Sequence, residues 1–167
     1  AFSQCAPPSA HSYLDVNNVS AQMNVGGSFW ADLSTNVASY EVPKGSGVHS
    51  FYRGSLWIGG RDESNALHLA AARYRQIGYD FWPGPISNNG TITPIQCVDN
   101  DRIYKLNRWE VAEFRQRYAE SGYVIPADIL EWPATDNPNS LAHANAPFID
   151  VNNDGVYNAY DGDYPAF

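Results

Sequence analysis

The alternation of hydrophobic and polar residues along the chain predicts a mainly β protein. From residue 14 to residue 25, apolar residues alternate with polar ones, with one shift of phase at Asn17-Asn18. This pattern indicates a strand that is interrupted by a bulge or a turn. Short strand-like runs follow at 29–33 and 39–42, and Ser, Thr and Asn residues typical of a turn separate them. We therefore expect an antiparallel sheet or a sandwich with long loops.

The strongest strand pattern runs from Val48 to Ile58, where bulky side chains occupy both faces. Such a pattern is typical of a central strand that is covered on both sides. A polar turn follows at 59–65, and residues 66–76 are predicted to return as the second strand of a hairpin. By propensity the start of that segment is equally consistent with a helix. We favour a strand because the segment follows a strand and a turn.

One clear helix is predicted near residues 107–121. Asn107 is a suitable N-cap, and Glu110 at the third helical position completes a capping box. Gly122 is placed to end the helix. A stripe of large side chains at helical spacing would face the core, and it consists of Trp109, Val111 or Ala112, Phe114 and Tyr118. A further short turn of helix is expected at 126–131, whereas residues 86–96 indicate a polar loop with a short strand.

Length and composition favour one extracellular β-rich domain over residues 1–167. Its Pro/Ser/Ala-rich start, residues 1–12, is expected to be an irregular arm. The net charge of −8 and the lack of any Lys/Arg cluster argue against nucleic-acid binding. No run of eighteen apolar residues is present, so no membrane span is expected. Aromatic residues make up 14% of the chain and require a core, an interface or a ligand surface.

The two cysteines, Cys5 and Cys97, belong to no metal-binding or redox motif. In an exported protein they are expected to form one disulfide, which would pin the N-terminal arm to the middle of the chain. The alternative is a pair of buried free thiols. In the chain-entropy description, closing so long a loop stabilises the fold by about 4–5 kcal/mol.

The segment 147–165 contains the most specific pattern in the chain, a candidate calcium-binding loop. Oxygen-bearing side chains fall at loop positions 1, 3, 5, 9 and 12, and Gly155 at position 6 permits a sharp turn. Position 7 would contribute its backbone carbonyl. The predicted ligands are Asp150, Asn152, Asp154, Val156, Asn158 and Asp161, and Asp163 could add a further oxygen. Position 12 is Asp where the helix–loop–helix pattern has Glu, and the plain alternative is a polar surface turn.

No catalytic motif emerges from the sequence. The four histidines share no metal-binding spacing, and the glutamates are scattered. A glycosidase would need two carboxylates across a cleft, a distance that sequence does not give. Phe81 and Trp82, in a proline-flanked turn, are the candidates for an exposed stacking surface. Asn18 and Asn89 match the N-glycosylation pattern, for which chance is the plain alternative.

Several phrases occur in an order that resembles the N-terminal region of large secreted surface proteins of Bacteroidota, which leave the cell by the type IX route. The phrases are residues 14–19, 40–45, 55–60, 74–76, 80–85 and 146–155. The resemblance implies a signal peptide removed before Ala1, an extracellular or cell-surface location, and calcium at the six ligands above. Proteins of that family usually continue for hundreds of residues, so this chain is expected to be a fragment or a small subunit.

These observations favour a non-enzymatic extracellular structural or adhesion protein that calcium stabilises. Self-association into fibres or a surface layer, or contact with neighbouring surface proteins, is the expected partnership. The alternative is a carbohydrate-binding module in which Trp57, Trp82 or Trp132 stacks on the sugar rings of a polysaccharide. A hydrolase with a carboxylate pair is the least favoured interpretation.

Overall fold

The computed structural model describes residues 5–71, 80–84, 91–138 and 146–166. Contacts divide the chain into two compact units. Unit 1 comprises Ala1–Gly84 and Thr93–Ile103, and unit 2 comprises Pro85–Ile92 and Tyr104–Phe167. That residues 1–167 form a single domain stays a prediction.

The described residues form a mainly β protein, as predicted. The strands are β1 (His11–Leu14), β2 (Ser20–Asn24), β3 (Ser28–Phe29), β4 (Ala31–Asp32), β5 (Val37–Ala38), β6 (Tyr40–Glu41), β7 (His49–Phe51), β8 (Gly54–Ser55), β9 (Trp57–Arg61), β10 (Leu67–Ala71), β11 (Phe148–Ile149) and β12 (Tyr164–Pro165). All pairings among them are antiparallel. One sheet has six strands, and three further sheets have two strands each.

Strand β2 lies at the centre of the six-stranded sheet of unit 1. The strand order is β7-β6-β2-β3-β8, and β1 also pairs with β2. The phase shift predicted at Asn17-Asn18 is the turn of this hairpin, whose register runs from His11 opposite Asn24 to Leu14 opposite Ala21. The irregular arm is therefore shorter than predicted, because β1 begins at His11 and recruits the last two residues of the arm.

The strand predicted from Val48 to Ile58 is wrong, because this stretch contains β7, β8 and the start of β9. These three strands pair with β6, β3 and β10 respectively, so the chain changes partner twice. The stretch is also largely exposed; Trp57, for example, is 63% exposed. Bulky side chains on both faces of a strand indicate burial only where partners cover both faces, and here much of that bulk faces solvent.

The hairpin predicted after this stretch is confirmed. β9 pairs with β10 from Arg61 opposite Leu67 to Trp57 opposite Ala71. Residues 67–71 are therefore strand, and the helical alternative is excluded there. The rest of the predicted strand, residues 72–76, lies outside the described residues.

Three α-helices lie in the described part of the chain: α1 (Pro94–Asn100), α2 (Arg108–Arg117) and α3 (Ala127–Leu130). α2 confirms the predicted helix, but it ends at Arg117, before Gly122, and Trp109 of the predicted stripe is 64% exposed. The Glu110 carboxylate accepts the Asn107 backbone N–H at 2.7 Å, as a capping box requires. α3 confirms the turn of helix predicted at 126–131. No helix in the described ranges is long and apolar enough to cross a lipid bilayer.

Helix α1 differs from the sequence-based expectation, because the pattern of residues 86–96 indicates a polar loop with a short strand. Thr93 caps the helix, its hydroxyl accepts the Gln96 N–H, and Pro94 occupies the first helical position. Only Cys97 of the helix is buried, so no apolar stripe marks it in the sequence.

The predicted disulfide between Cys5 and Cys97 is present in unit 1, with the two Cα atoms 5.6 Å apart. Both cysteines are buried. Close to the disulfide, the backbone N–H groups of Ser9 and Ala10 donate to the carboxylate of Asp101 at 2.8 and 3.0 Å. The N-terminal arm is thus fixed by one covalent link and by a carboxylate before β1 begins.

Candidate functional site

The predicted calcium-binding loop in unit 2 is closed at its base by two short strands. Phe148 of β11 lies opposite Pro165 of β12, and Ile149 lies opposite Tyr164. The chain therefore enters the loop of residues 150–163 and leaves it at the same place, the β11–β12 pair. The pairing fixes where loop positions 1 and 12 can lie, which a free chain end would leave undetermined.

The middle of the loop is anchored in the core of unit 2. Tyr157 and Ala159 are fully buried, and they belong to the same core cluster as Phe114 and Ile129. The Tyr157 hydroxyl donates to the Ile129 carbonyl at 2.6 Å. Burial, and secondarily the negative charge of Asp163, raise the pKa of Tyr157 far above its usual range. Tyr157 therefore keeps its proton and its hydrogen bond.

Asp150, at position 1, organises the first half of the loop. One of its carboxylate oxygens accepts the N–H groups of Asn153 and Asp154 at 2.7 and 3.3 Å. The other accepts the Gly155 N–H at 2.8 Å. Asn153 and Gly155 have φ of 60° and 80°, a left-handed conformation that glycine and asparagine tolerate best. The side chain at position 1 thus wraps the backbone of positions 4 to 6 around itself.

Positions 3, 5 and 7 are linked to each other. The Asn152 side chain donates to the Asp154 carboxylate at 2.9 Å, and the Asp154 N–H donates back to the Asn152 amide oxygen at 3.1 Å. The other Asp154 oxygen accepts the Val156 N–H at 2.8 Å. Asn152 and Asp154 are exposed, so their remaining lone pairs are accessible to a cation.

Positions 9 and 12 are brought together by a short 3₁₀ helix, Ala159–Asp161. Asn158 caps this helix, because its amide oxygen accepts the Tyr160 N–H at 3.1 Å. Its amide nitrogen donates to the Asp161 carboxylate at 2.7 Å. Gly162 follows with φ of 98° and ends the helix.

Asp163 joins the two halves of the loop. One of its oxygens accepts the Val151 N–H at 2.8 Å, and the other accepts the Asn158 N–H at 2.9 Å. The residue is fully buried. The sequence suggested Asp163 as a further oxygen for the ion, whereas these bonds assign it to bracing the loop backbone. In the sequence, only its place two residues after loop position 12 indicates that Asp163 acts near the loop.

The donor set of this loop is made of carboxylate, amide and carbonyl oxygens, the hard ligands that calcium prefers. Among the described residues, no three His, Cys, Asp or Glu side chains form a cluster that could hold a metal ion. A metal at this loop would therefore depend on the two asparagine amides and the Val156 carbonyl together with the aspartates. That is the mixed set that the spacing predicts.

The aromatic candidates for sugar stacking differ in their solvent exposure. Trp132 belongs to unit 2, and the other three belong to unit 1. Phe81 and Trp82 are both partly buried, and a Cβ added to Gly27 would lie 2.7 Å from the Phe81 ring, so that ring packs against the backbone. Trp132 is partly buried and donates its indole N–H to the Pro147 carbonyl at 3.1 Å. Trp57 offers the most open ring of the four, with its indole N–H on the Ser55 hydroxyl at 2.9 Å.

In unit 2, Glu113 on α2 and Glu120 just beyond it both bind the same cation, the guanidinium group of Arg117. Arg117 donates to Glu113 at 2.6 Å and to Glu120 at 2.9 Å, and these bonds raise the pKa of Arg117. This grouping is a surface ion-pair cluster on the helix. Of the remaining candidates for chemistry, His143 and the possible glycosylation site Asn89 lie outside the described residues.

Comparison with known protein families, curated proteins and solved structures finds no match for this chain.

Proposed function

We propose that the protein is a non-enzymatic structural or adhesion protein of the cell surface, and that its C-terminal loop binds one calcium ion. The observation that carries the proposal is the architecture of the loop. Its oxygen donors fall at positions 1, 3, 5, 7, 9 and 12, and its backbone is closed by β11–β12 and braced by Asp163. A loop held in this way loses little conformational entropy when it binds an ion.

Calcium would stabilise this segment chiefly through charge. Asp150, Asp154 and Asp161 place three carboxylates in a loop of twelve residues, and their mutual repulsion opposes a compact loop. A divalent cation removes that repulsion. Since the ion is bound by the folded loop and not by the unfolded chain, its binding free energy adds to the stability of unit 2.

An extracellular location agrees with the chemistry of the chain. Buried disulfides such as Cys5–Cys97 persist in oxidising compartments. Calcium loops of extracellular modules bind with dissociation constants of about 10⁻⁴–10⁻³ M, which suits the high calcium concentration outside cells. The resemblance to secreted surface proteins of Bacteroidota supports the same location, after removal of a signal peptide. In that setting the ion would brace the protein for contact with copies of itself or with neighbouring surface proteins.

Calcium titration followed by calorimetry and thermal melting tests the proposal. We expect one ion per chain, and a gain of about 2.7 kcal/mol in unfolding free energy at calcium concentrations one hundred times the dissociation constant. Asp161→Asn removes a carboxylate at position 12 and is expected to abolish most of the calcium-dependent shift. Asp62→Asn makes the same change of charge in the β9–β10 turn of unit 1 and is expected to keep the full shift.

Two results would contradict the proposal. One is a melting temperature of the unmodified protein that does not respond to calcium or to a chelator. The other is an equal loss of the calcium shift in both variants, since this would assign the response to net charge.

The alternative function, a carbohydrate-binding module, is favoured by one observation, the open ring of Trp57 on β9. Affinity electrophoresis in gels containing a polysaccharide distinguishes the two functions. Retardation that Trp57→Ala abolishes and Trp109→Ala preserves would establish the alternative, since Trp109 is equally exposed at 64%. Equal mobility of the unmodified protein in all polysaccharide gels would remove it.

A further inference from the structure

Helix α2 and the β11–β12 sheet of unit 2 enclose a surface groove of about 300 Å³. Val111, Ile149 and Pro165 supply apolar lining, and Arg108 and Arg115 line the same groove. The two arginines are seven residues apart and lie on one face of the helix, about 10 Å from each other along its axis. The groove is thus apolar with two exposed cations, an arrangement that differs from the acidic character of the chain.

Among the described residues, the two guanidinium groups of the groove have no carboxylate partner. Neither Arg108 nor Arg115 makes an ion pair with any residue in the described part of the chain, and Arg115 lies over the Tyr164 ring at 4.8 Å from its centroid. Arg117 on the same helix shows the contrast, because Glu113 and Glu120 both bind it. In a chain with 18 acidic and ten basic residues, two arginines on one helix face without an ion pair to any described residue need an explanation.

The chemistry of the groove specifies its ligand. Guanidinium groups bind carboxylates through two parallel hydrogen bonds, and their planar faces tolerate contact with apolar groups. An apolar lining adds affinity only for a ligand that also carries apolar side chains. A polypeptide segment with acidic and aliphatic residues side by side meets both requirements.

A second copy of this chain carries such segments on its surface. On helix α1, Ile95 and Val98 are 74% and 71% exposed, and Asp99 follows them directly. Moreover, the chain has eight basic residues outside the groove and 18 acidic ones. The rest of the molecule is therefore complementary in charge to the groove.

We propose that the α2 groove is a self-association site, in which Arg108 and Arg115 bind an acidic and aliphatic surface of a second copy. Two grooves cannot face each other, because arginine would then oppose arginine. The contact therefore joins two different surfaces, and two copies either exchange it reciprocally in a closed dimer or pass it on along a ring or an open-ended assembly. This inference rests on the self-association included in the proposed function and names the surface responsible.

Sedimentation equilibrium over a range of protein and salt concentrations tests the site, using the unmodified chain in calcium-containing buffer. We expect the weight-average mass to rise above that of the monomer with concentration and to fall as salt increases. Arg108→Glu and Arg115→Glu are each expected to weaken association about tenfold or more. Arg61→Glu makes the same change of charge on exposed β9 of unit 1 and is expected to associate like the unmodified chain. Circular dichroism melts check that the variants are folded.

Two results would overturn the proposal: a monomer at all concentrations up to about 1 mM, or equal association of the Arg108→Glu, Arg115→Glu and Arg61→Glu variants. The outcome of the calcium titration does not depend on these results. Association that ignores the groove variants while calcium still raises the melting temperature would leave the proposed calcium loop standing without the groove. Association that depends on Arg108 without any calcium response would do the reverse.

Discussion

At the scale of single residues, hydroxyl groups hold two aspartates of unit 1 firmly in the ionised form. The Ser34 hydroxyl, followed by that of Thr35, lowers the pKa of Asp32 to about 2. In the β9–β10 turn, the Ser64 hydroxyl, followed by the His68 ring, lowers the pKa of Asp62 to about 2. Both aspartates accept backbone N–H groups as well, so that each carboxylate fixes its own turn.

We predict that Ser64→Ala raises the pKa of Asp62 from about 2 toward its ordinary value of 3.8. The carboxylate loses its largest stabilising hydrogen bond, so protonation becomes easier. Because the folded-state pKa is depressed, the contribution of Asp62 to stability is present above about pH 4 and is lost as the pH falls toward 2. Carbon-13 NMR titration of the carboxyl groups measures the change, and Asp32 serves as the internal control. An unmoved Asp62 midpoint would refute the assignment.

At the scale of secondary-structure elements, the 3₁₀ helix of the loop packs tightly on the end of α2. A Cβ added to Gly162 would lie 2.7 Å from the ring of Tyr118, the C-cap residue of α2. Gly122 has a similar positive φ, 84° against 98°, but a Cβ there would meet nothing within 4 Å. The two glycines therefore separate the cost of the backbone conformation from the cost of the contact.

We predict that Gly122→Ala costs about 1–2 kcal/mol of unfolding free energy, the usual penalty for a left-handed conformation. Gly162→Ala adds a clash with Tyr118 and is expected to cost about 1–3 kcal/mol more. Urea denaturation monitored by tryptophan fluorescence measures both. Equal losses for the two variants would show that Tyr118 moves aside freely.

The elements predicted correctly are those whose signals lie within the segment itself. α2 has its capping box and buries Val111 and Phe114 of the predicted stripe, although Trp109 is exposed, and the β9–β10 hairpin has two runs around a polar turn. The Val48–Ile58 strand failed because the burial of a strand depends on its partners, and those partners change along the stretch. α1 had a capping box in the sequence but buries only Cys97, so the hydrophobic periodicity gave no sign of it.

The candidate site likewise has a part with local sequence signals, which is predictable, and a part that depends on distant residues, which is not. The spacing of Asp150, Asn152 and Asp154 is local, so the sequence alone predicts the set of donors. The supports of the loop are not local, because Tyr157 reaches a carbonyl 28 residues away and Asp163 reaches back 12 residues to Val151. A buried aspartate that binds two backbone N–H groups cannot be distinguished by spacing from one that faces an ion.

At the scale of the whole molecule, the Cys5–Cys97 disulfide spans 92 residues of sequence and closes most of unit 1 into one covalent ring. Such a link restricts the unfolded chain far more than the folded one. Asp101 reinforces the closure from within unit 1, because it holds Ser9 and Ala10 beside the disulfide.

We predict that replacing both cysteines by serine lowers the unfolding free energy of unit 1 by about 2–5 kcal/mol. Chemical denaturation of the double variant measures the loss, and the unmodified protein with its disulfide reduced is expected to match it. Reductant added to the double variant supplies the control, since it has no bond left to break. Unchanged stability after reduction would mean that the ring does not constrain the unfolded chain.

The same covalent ring determines how the protein would respond to mechanical load. If the chain is stretched between its two ends, tension entering at the N-terminus passes from Cys5 directly to Cys97 through the sulfur bridge. Residues 6–96, with the whole six-stranded sheet, then lie outside the path that carries force. The sheet would remain folded under strain while residues 98–167, including the candidate calcium loop, bear the pull.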